Sequence, residues 1–327
     1  MRSSTSSLCV PSGGGAMKTL SRMRAKLVAV AVAVAVAALV PFHAAVAQSQ
    51  APTVERPATI TVETVTPKIR KVVFANPPAN LIVPETVARL REVVVALSED
   101  PAVQVVIFTS GTPRFFYNHF DLRQAAKFPS VPGEVSSPAW VDLVIRLSKA
   151  PFISIASVRG RTRGGGNELS LAMDLRYASK EHAFFSQPEV GTGILPGGGG
   201  SERLPRLIGR DRALEAILTS QDYDAESAQR FGWVTRAVPD AELDRFVDAV
   251  AARLASFDKA ALMAAKEQVN RASPPPDADL RAAYDEYTRS LGWTGFRERM
   301  PRLGKFVAEK GLDVELQLGD YLGKVGP

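Results

Sequence analysis

The sequence predicts an α/β protein with repeated βαβ units and a helical C-terminal part. Two observations support this prediction. Over residues 59–240, strand-like runs rich in β-branched residues alternate with segments whose apolar residues recur at helical spacing. Over residues 241–327, helical segments dominate. No repeat of fixed period appears, so a solenoid is not expected.

The first predicted unit runs from strand through helix to strand. The segments ATITVETV and KVVFAN are rich in β-branched residues and indicate strands. A helix follows in PETVARLREVVVALSED, where Val87, Leu90 and Val94 lie on one face and Pro84 suits an early helical position. The next run, VQVVIFTSG, is almost continuously apolar, which predicts a strand buried on both faces.

A second unit repeats this order. SSPAWVDLVIRLSKA predicts a helix with Ser137 as N-cap and Pro138 at the first helical position. Trp140, Val144 and Leu147 form its apolar stripe, and FISIASV is another buried strand. The helical region then contains PDAELDRFVDAVAARLASF, ALMAAKEQVNRA and LRAAYDEYTRSL, whereas the tail GLDVELQLGDYLGKVGP is ambiguous.

Residues 1–47 are predicted to be an export signal. Arg22, Arg24 and Lys26 precede the apolar run 27–40, which is shorter than the roughly 20 residues of a membrane span. Small residues before Gln48 suit a signal peptidase. We expect a flexible lead over 48–58 and a periplasmic or secreted protein with no stable membrane span. An uncleaved anchor, or a cytoplasmic protein whose start lies further downstream, are the alternatives.

Most of the net positive charge of the chain, and its single cysteine, also lie in residues 1–47. The net charge is +6, but residues 1–47 carry five basic residues and no acid, so the mature chain would be near neutral. A nucleic-acid partner is therefore not expected. Cys9 would be lost with the signal, and only His119 and His182 would remain as histidines. We expect no disulfide, no thiolate nucleophile and no metal site.

Candidate chemistry begins at a glycine run, 164–166, between the strand FISIASV and a predicted helix, ELSLAMDL, that begins with Glu168. Free N–H groups at such a helix start favour negative charge. A tight turn explains the run equally well when it is taken alone, and it matches neither GxxxxGK[ST] nor GxGxxG. A second carboxylate, Glu189, lies in FFSQPEVGTGILPGGGGSERL. Taken alone, Glu168 is a common first-turn carboxylate that complements the helix dipole, and a glutamate just after Pro188 is more often solvated than catalytic.

These segments, taken together, resemble the enoyl-CoA hydratase/isomerase (crotonase) superfamily from about residue 60 to residue 270. The resemblance rests on FFYNHFDL (115–122), SVRGRTRGGGNELSLAMDLRYAS (157–179) and FFSQPEVGTGILPGGGGSERLPRLIG (184–209), followed by LTSQDYDAESAQRFGWVTRAVPDAEL. It implies a ClpP/crotonase-type spiral of repeated ββα units. It also implies a homotrimer or hexamer assembled through the C-terminal helices.

The resemblance further implies an enoyl-CoA hydratase that adds water to a 2-enoyl-CoA thioester. The backbone N–H groups of Phe120 and Gly165 would form an oxyanion hole for the thioester carbonyl. Glu189 would supply a proton to the α-carbon, and Glu168 would position and activate the water. No cofactor is implied, because coenzyme A is part of the substrate.

The resemblance also implies a set of substrate-binding residues: His119, Asp121, Arg123, Gly164, Gly197 and Gly198. Arg123 would contact the coenzyme A moiety or be a solvated surface charge. Asp121 is expected to anchor its loop, and the two later glycines to line the acyl pocket. The family commonly has Gly and a small residue where this chain has His119 and Phe120, so an altered pocket is expected. His119 would be a polar group at the substrate or a packed imidazole.

Three arginines precede the glycines where the family usually has less charge: Arg159, Arg161 and Arg163. They could meet phosphate, an acidic neighbour or solvent. Since a fold does not determine a reaction, an enoyl-CoA isomerase or an acyl-CoA hydrolase is an alternative. Coenzyme A thioesters are not expected outside the cytoplasm, so an exported, non-catalytic protein that binds an acyl ligand is a third possibility.

Overall fold

The structure is a computed structural model that describes residues 58–131 and 137–326. The predicted signal, 1–47, and all but the last residue of the predicted lead, 48–58, lie outside the described residues.

The described strands are, in chain order, β1 (Thr59–Thr66), β2 (Ile69–Ala75), β3 (Val105–Ser110), β4 (Ser130–Val131), β5 (Ser137–Pro138), β6 (Ile153–Val158), β7 (Arg161–Arg163), β8 (Leu175–Ser179), β9 (Phe184–Ser186), β10 (Tyr223–Asp224) and β11 (Arg236–Val238). The α-helices are α1 (Pro84–Glu99), α2 (Ala139–Lys149), α3 (Gly165–Leu171), α4 (Glu189–Thr192), α5 (Gly200–Ile208), α6 (Arg210–Thr219), α7 (Ala225–Phe231), α8 (Asp240–Ala255), α9 (Lys259–Asn270), α10 (Asp277–Ser290), α11 (Thr294–Lys310), α12 (Leu312–Leu316) and α13 (Leu318–Lys324). A short 3-10 helix spans Leu122–Lys127.

A six-stranded sheet organises the fold, in the order β1-β2-β3-β6-β8-β11. Only β1 runs antiparallel to its neighbour, and the other pairs are parallel. The predictions of doubly buried strands are confirmed: β6 is buried throughout, and β3 is buried over its first four residues. Helices α1 and α2 pack on one face of this sheet, and α8 packs on the other. The alternation of strands and helices is therefore as predicted.

A smaller sheet, β10-β9-β7, positions the chemistry. Strands β7 and β9 are parallel, with Arg163 paired to Ser186. Parallel strands end at the same edge of a sheet. The glycine run after β7 and the residues after β9 therefore lie side by side, and Gly164 N donates to Ser186 O at 3.1 Å. This pairing brings Glu168 and Glu189 to one region, although 20 residues separate them.

Helix α2 confirms the predicted buried stripe, which includes Trp140, Val144 and Leu147. Its start differs from the prediction. Pro138, with ψ of 130°, has an extended backbone and is the N-cap, in place of Ser137. The reason is that residues 137–138 form β5 and pair with β4, so the helix begins one residue later.

Helix α3 also differs from the predicted segment ELSLAMDL. It begins at Gly165, within the glycine run, and ends at Leu171. The buried Arg176 guanidinium donates to the carbonyl oxygens of Ser170 and Met173, which satisfies the end of the helix. The chain then enters β8 at Leu175. Glu168 consequently lies within the first turn rather than at the helix start.

The chain after β11 is helical in the part that the structure describes. The ambiguous tail forms α12 and α13, which pack with α11 around an apolar cluster of their own. Helix α9 packs Leu262 and Met263, both half-buried, against the apolar cluster on the α8 face of the sheet. Among residues 58–131 and 137–326, no helix combines the length and apolarity needed to cross a membrane.

Candidate active site

Glu168 is a buried carboxylate held by backbone donors. Its Oε1 accepts from Gly198 N at 2.7 Å and from Gly200 N at 3.0 Å, and the residue is 1% exposed. These donors belong to the glycine-rich segment that leads into α5. The backbone can approach the carboxylate this closely only because the segment carries no side chains there.

Gly198 illustrates how closely the groups approach. A Cβ added there would lie 2.2 Å from Trp140 Nε1 and 2.4 Å from Glu168 Oε2, so any side chain would collide with both. Trp140 Nε1 is buried, and its N–H lies close enough to the Glu168 carboxylate to help oppose the rise in the pKa of that group. An N–H donor and a carboxylate oxygen thus face the same small volume.

Glu189 opens the short helix α4 after β9. Gln187 Nε2 donates to its Oε2 at 3.0 Å, and Gln187 in turn accepts from Asn167 Nδ2 at 2.7 Å. A Cβ added at Gly164 would lie 2.7 Å from Glu189 Oε1. The Glu189 carboxyl therefore lies directly over the glycine run, with its oxygens oriented by a buried amide network.

The two carboxyls affect one another. Burial raises the pKa of Glu168, and the backbone donors from Gly198 and Gly200 oppose that rise. Burial, and next the charge of Glu168, raise the pKa of Glu189 to about 8. Because only Glu168 has two backbone N–H donors to its carboxylate, we assign the shared negative charge to Glu168. Glu189 then keeps its proton at neutral pH.

Two backbone N–H groups beside this pair have no acceptor among the described residues: those of Phe120 and Gly165. The two residues touch, since a Cβ added at Gly165 would lie 3.0 Å from the Phe120 ring. The loop carrying Phe120 is held on both sides, because Ile82 N donates to His119 O and Asp121 N donates to Ile82 O. The free donors are therefore rigidly placed.

Gly166 locks this loop to α3. Its N–H donates to Asn118 O at 3.0 Å, and a Cβ added there would lie 1.8 Å from Tyr117 O. The ring of Phe120 packs edge-on against Phe128 and Trp140, with centroids 4.8 and 4.9 Å away. One wall of the site is consequently aromatic, in keeping with the altered pocket expected at position 120.

The other predicted binding residues have distinct surroundings. Asp121 accepts from Arg123 N at 3.1 Å and from Arg123 Nε at 2.8 Å, so it caps the 3-10 helix, as expected of a loop anchor. The Arg123 side chain is 78% exposed. Gly197 lies against the ring of Tyr287 from α10. Helix α10 therefore borders the glycine segment.

His119 is engaged by protein groups at both ring nitrogens. Nδ1 lies 2.9 Å from Phe120 O, and Nε2 lies 2.9 Å from Glu315 Oε2 on α12. Burial alone would lower the pKa of His119, but the charge and hydrogen bond of Glu315 outweigh burial and raise it. The described contacts are those of a packed imidazole.

The three arginines before the glycines meet acidic or carbonyl partners. Arg159 pairs with Asp240 and Asp244. Arg163, which is fully buried, pairs with Asp222 and donates to Glu315 O. Arg161 Nε donates to Leu316 O at 2.7 Å. Two of these arginines therefore hold the C-terminal segment against β7.

Sequence reasoning missed three residues of this site: Trp140, Glu202 and Glu315. Trp140 was assigned only to an apolar stripe. Glu202 lies in the first turn of α5, where burial, and next the charge of Glu168, raise its pKa to about 7. Glu315 lies in the tail whose structure was ambiguous. No spacing signal connects it to His119, because 196 positions separate them.

Comparison with known proteins decides the family. A family model described as enoyl-CoA hydratase/isomerase matches residues 65–292. The chain belongs to this enzyme family. The predicted crotonase fold is confirmed: a crystal structure of a candidate enoyl-CoA hydratase from Streptomyces avermitilis superposes with a TM-score of 0.75 at 42% identity, covering 82% of this chain and 98% of that one.

Two curated members of the enoyl-CoA hydratase/isomerase family are also similar. A short-chain-enoyl-CoA hydratase from Clostridium acetobutylicum is 32% identical over 205 residues, which cover 62% of this chain and 78% of that protein. A crotonyl-CoA hydratase from Syntrophomonas wolfei is 34% identical over 209 residues, covering 61% and 77%. The matches therefore extend over most of each relative.

Proposed function

We propose that this protein is an enoyl-CoA hydratase, a hydro-lyase that adds water across the double bond of a 2-enoyl-CoA thioester. The observation that carries the proposal is the pair of buried carboxyls, Glu168 and Glu189, whose surroundings give them different protonation at neutral pH. One general base and one general acid in the same pocket are what water addition needs. The names of the similar relatives support the same substrate class.

The thioester carbonyl oxygen would accept from the N–H groups of Phe120 and Gly165. Both donors are free of other acceptors among the described residues and are held by the Ile82 and Asn118 contacts. As water adds to the β-carbon, negative charge moves to this oxygen. Preorganised donors of this kind typically stabilise such a charge by about 3 kcal/mol each.

Glu168 would act as the base. Its carboxylate takes one proton from water, whose oxygen bonds to the β-carbon, and the Trp140 N–H faces the same volume. Glu189 would donate its proton to the α-carbon, which completes the addition. The proton gained by Glu168 then returns to Glu189 through solvent. The number of protons on the enzyme is unchanged after each cycle.

The test is the product that purified protein forms from crotonyl-CoA, identified by mass spectrometry. We expect a hydroxyacyl-CoA heavier by one water. Glu309→Gln, which removes an exposed carboxylate far along α11, is the matched control and should form it at the wild-type rate. Double-bond migration without a gain of water, release of free coenzyme A, or ligand binding without turnover would each contradict the proposal.

We further propose that the C-terminal helices assemble three or six copies. Large apolar side chains are exposed on and just before α9: Val269 is 65% exposed and Phe257 is 43% exposed. Light scattering should give a trimer or hexamer, and a monomer would contradict this.

Export is tested separately, by fractionation and N-terminal sequencing, with Gln48 as the expected first residue. A cytoplasmic protein with residues 1–47 intact would contradict export.

A further inference from the structure

The contact between His119 and Glu315 joins the C-terminal segment to the site. Glu315 lies on α12, and its Oε2 accepts from Asn118 Nδ2 at 3.1 Å as well as facing His119 Nε2 at 2.9 Å. Asn118 is the residue whose carbonyl receives Gly166 N. Residues 118–119 therefore connect α12 to the glycine run. Neither the sequence segments that resemble the family nor the two-glutamate mechanism accounts for this connection.

The hydrogen-bond partners determine the charge of the His119 ring. A backbone carbonyl, that of Phe120, can only accept, so Nδ1 carries a hydrogen. Burial would raise the pKa of Glu315, but the charge and hydrogen bond of His119 outweigh burial and lower it. The carboxyl is therefore ionised, and its Oε2 accepts from Nε2 as well as from Asn118. With a hydrogen on each nitrogen, the ring is an imidazolium paired with a carboxylate. It cannot serve as a proton acceptor while the pair is intact.

The His119 side chain and Glu189 lie on the same glycine, Gly164. A Cβ added at Gly164 would lie 3.2 Å from His119 Cβ and 2.7 Å from Glu189 Oε1, so both side chains touch the same point of the glycine run. The other charged or titratable groups that face this region are Glu168 on α3, Arg163 on β7 with its partner Asp222, and Tyr287 on α10. His119 is the cation whose charge acts on Glu189.

We propose that His119, held by Glu315, is a positioning residue for Glu189: it keeps a positive charge beside the acid and thereby couples the ionisation of Glu189 to the docked C-terminal segment. The assigned role in proton donation rests on the proposed hydratase function. The charge coupling itself does not, because it follows from the contacts alone. A cation favours the ionised form of a nearby carboxyl. The His119–Glu315 pair consequently limits how far burial and Glu168 raise the pKa of Glu189.

Two substitutions test this in different ways. His119→Gln removes the cation directly. Glu315→Gln keeps a side-chain amide that can donate to Nε2, so the ring stays in place but becomes neutral. In both variants the pKa of Glu189 should move upward, because the imidazolium charge is lost. The shift should be smaller in Glu315→Gln, because that substitution also removes the negative charge of Glu315. A purely structural role for the pair would not move it in Glu315→Gln.

The readout is the ¹³C NMR titration of the Glu189 carboxyl in protein labelled at the glutamate side-chain carboxyl, with the signal assigned by its loss in Glu189→Gln. The wild-type midpoint should lie near pH 8. It should shift upward most in His119→Gln, which leaves the Glu315 carboxylate in place, and by a smaller and equal amount in Glu315→Gln and in the double variant. Glu309→Gln should leave it unchanged. The alkaline limb of crotonyl-CoA turnover should shift in parallel.

A midpoint that stays constant or falls in the two variants overturns the inference, even if the wild type hydrates crotonyl-CoA. Conversely, absence of hydration with a shifted midpoint defeats the proposed function and leaves the charge coupling standing. Should His119→Gln fail to fold, Glu315→Gln decides alone, since its amide preserves the contact between α12 and the ring.

Discussion

The two carboxyls of the site both have partners in the α/β core, but they differ in what else holds them. Glu168 takes its partners from the α/β core, through Gly198 and Gly200. Glu189 lies on α4, where Arg299 of α11 donates to Gly191 O at 2.8 Å and to Leu322 O at 2.8 Å. Gln187 and Asn167 orient Glu189 from the core as well, so the difference is that its helix α4 is also held by α11 near the C-terminus.

This difference suggests a division of labour within the site. The core determines where charge can exist, because backbone donors around Glu168 cannot move without unfolding the glycine segment. The C-terminal helices are expected to influence the ionisation of Glu189, since they contact α4 and place Glu315 against His119. Changes in the core should therefore abolish folding or activity together. Changes in the C-terminal segment should alter stability or pH dependence first.

The largest effect is expected from Gly166→Ala, which disrupts the packing of α3 in the core. Its Cβ would overlap Tyr117 O, a backbone atom of the loop that carries Phe120. We expect a loss of more than about 4 kcal/mol in the free energy of unfolding, or no soluble protein. Urea unfolding followed by circular dichroism measures it. Gly304→Ala on α11, where a Cβ meets nothing within 4 Å, is the matched control and should be neutral or slightly stabilising.

Arg163→Met removes contacts between strand β7 of the core and the C-terminal segment. It removes a fully buried guanidinium from Asp222 and from the carbonyls of Glu315 and Leu316. Leaving Asp222 and Glu315 O without this donor should cost about 3 kcal/mol in the free energy of unfolding, whereas Leu316 O keeps its bond from Arg161 Nε. The exposed pair Arg210–Asp211 supplies the control, as Arg210→Met should change it by less than about 0.5 kcal/mol. Equal effects of the two substitutions would show that the C-terminal segment is not anchored at Arg163.

The pH dependence of turnover sharpens the comparison. Glu189 must hold a proton to donate it, and burial with the charge of Glu168 raises its pKa to about 8. Turnover should thus be lost as the pH rises through about 8, by about tenfold per pH unit beyond it. The acid limb should lie above the ordinary range of a carboxyl, because burial raises the pKa of Glu168. A profile that stays flat from pH 7 to pH 10 would contradict the assignment of Glu189 as the acid.

The smallest effect is expected from Arg123→Ala, which touches neither carboxyl. Its side chain is 78% exposed and pairs with Asp121. If it also contacts the nucleotide of coenzyme A, KM should rise by about threefold to tenfold with kcat nearly unchanged, which is the signature of uniform binding. A pantetheine thioester lacks the nucleotide and should not distinguish the variant from wild type. A KM for the coenzyme A substrate that is also unchanged would leave Arg123 as a surface charge.

The fold was largely predictable because its strands and helices carry strong local patterns. Continuous apolar runs mark β3 and β6, and the stripes of α1 and α2 match their buried faces. The start of α3 was predicted less well, since a glycine run indicates a loop when its tertiary contacts are unknown. Only the approach of the Tyr117 carbonyl makes glycine necessary there.

The site was predictable only where the family blocks carry it. Glu168, Glu189 and the two N–H groups come from motifs, whereas the ring of Trp140 faces Glu168 only because α2 packs beside the glycine segment. Glu315 could not be predicted, because its partner lies on a loop 196 positions away and its own segment has no clear period. Such contacts depend on tertiary packing and leave no trace in local spacing.

The most direct test of the account compares crotonyl-CoA hydration by wild type, Glu168→Gln, Glu189→Gln and the double variant. Each single substitution should lower kcat by about 10²-fold or more, because each removes one of two proton-transfer groups while keeping the side-chain shape. The double variant should have about the same kcat as the less active of the two single variants, since the two groups act as a unit. Turnover within a few-fold of wild type in either single variant would contradict the two-glutamate mechanism.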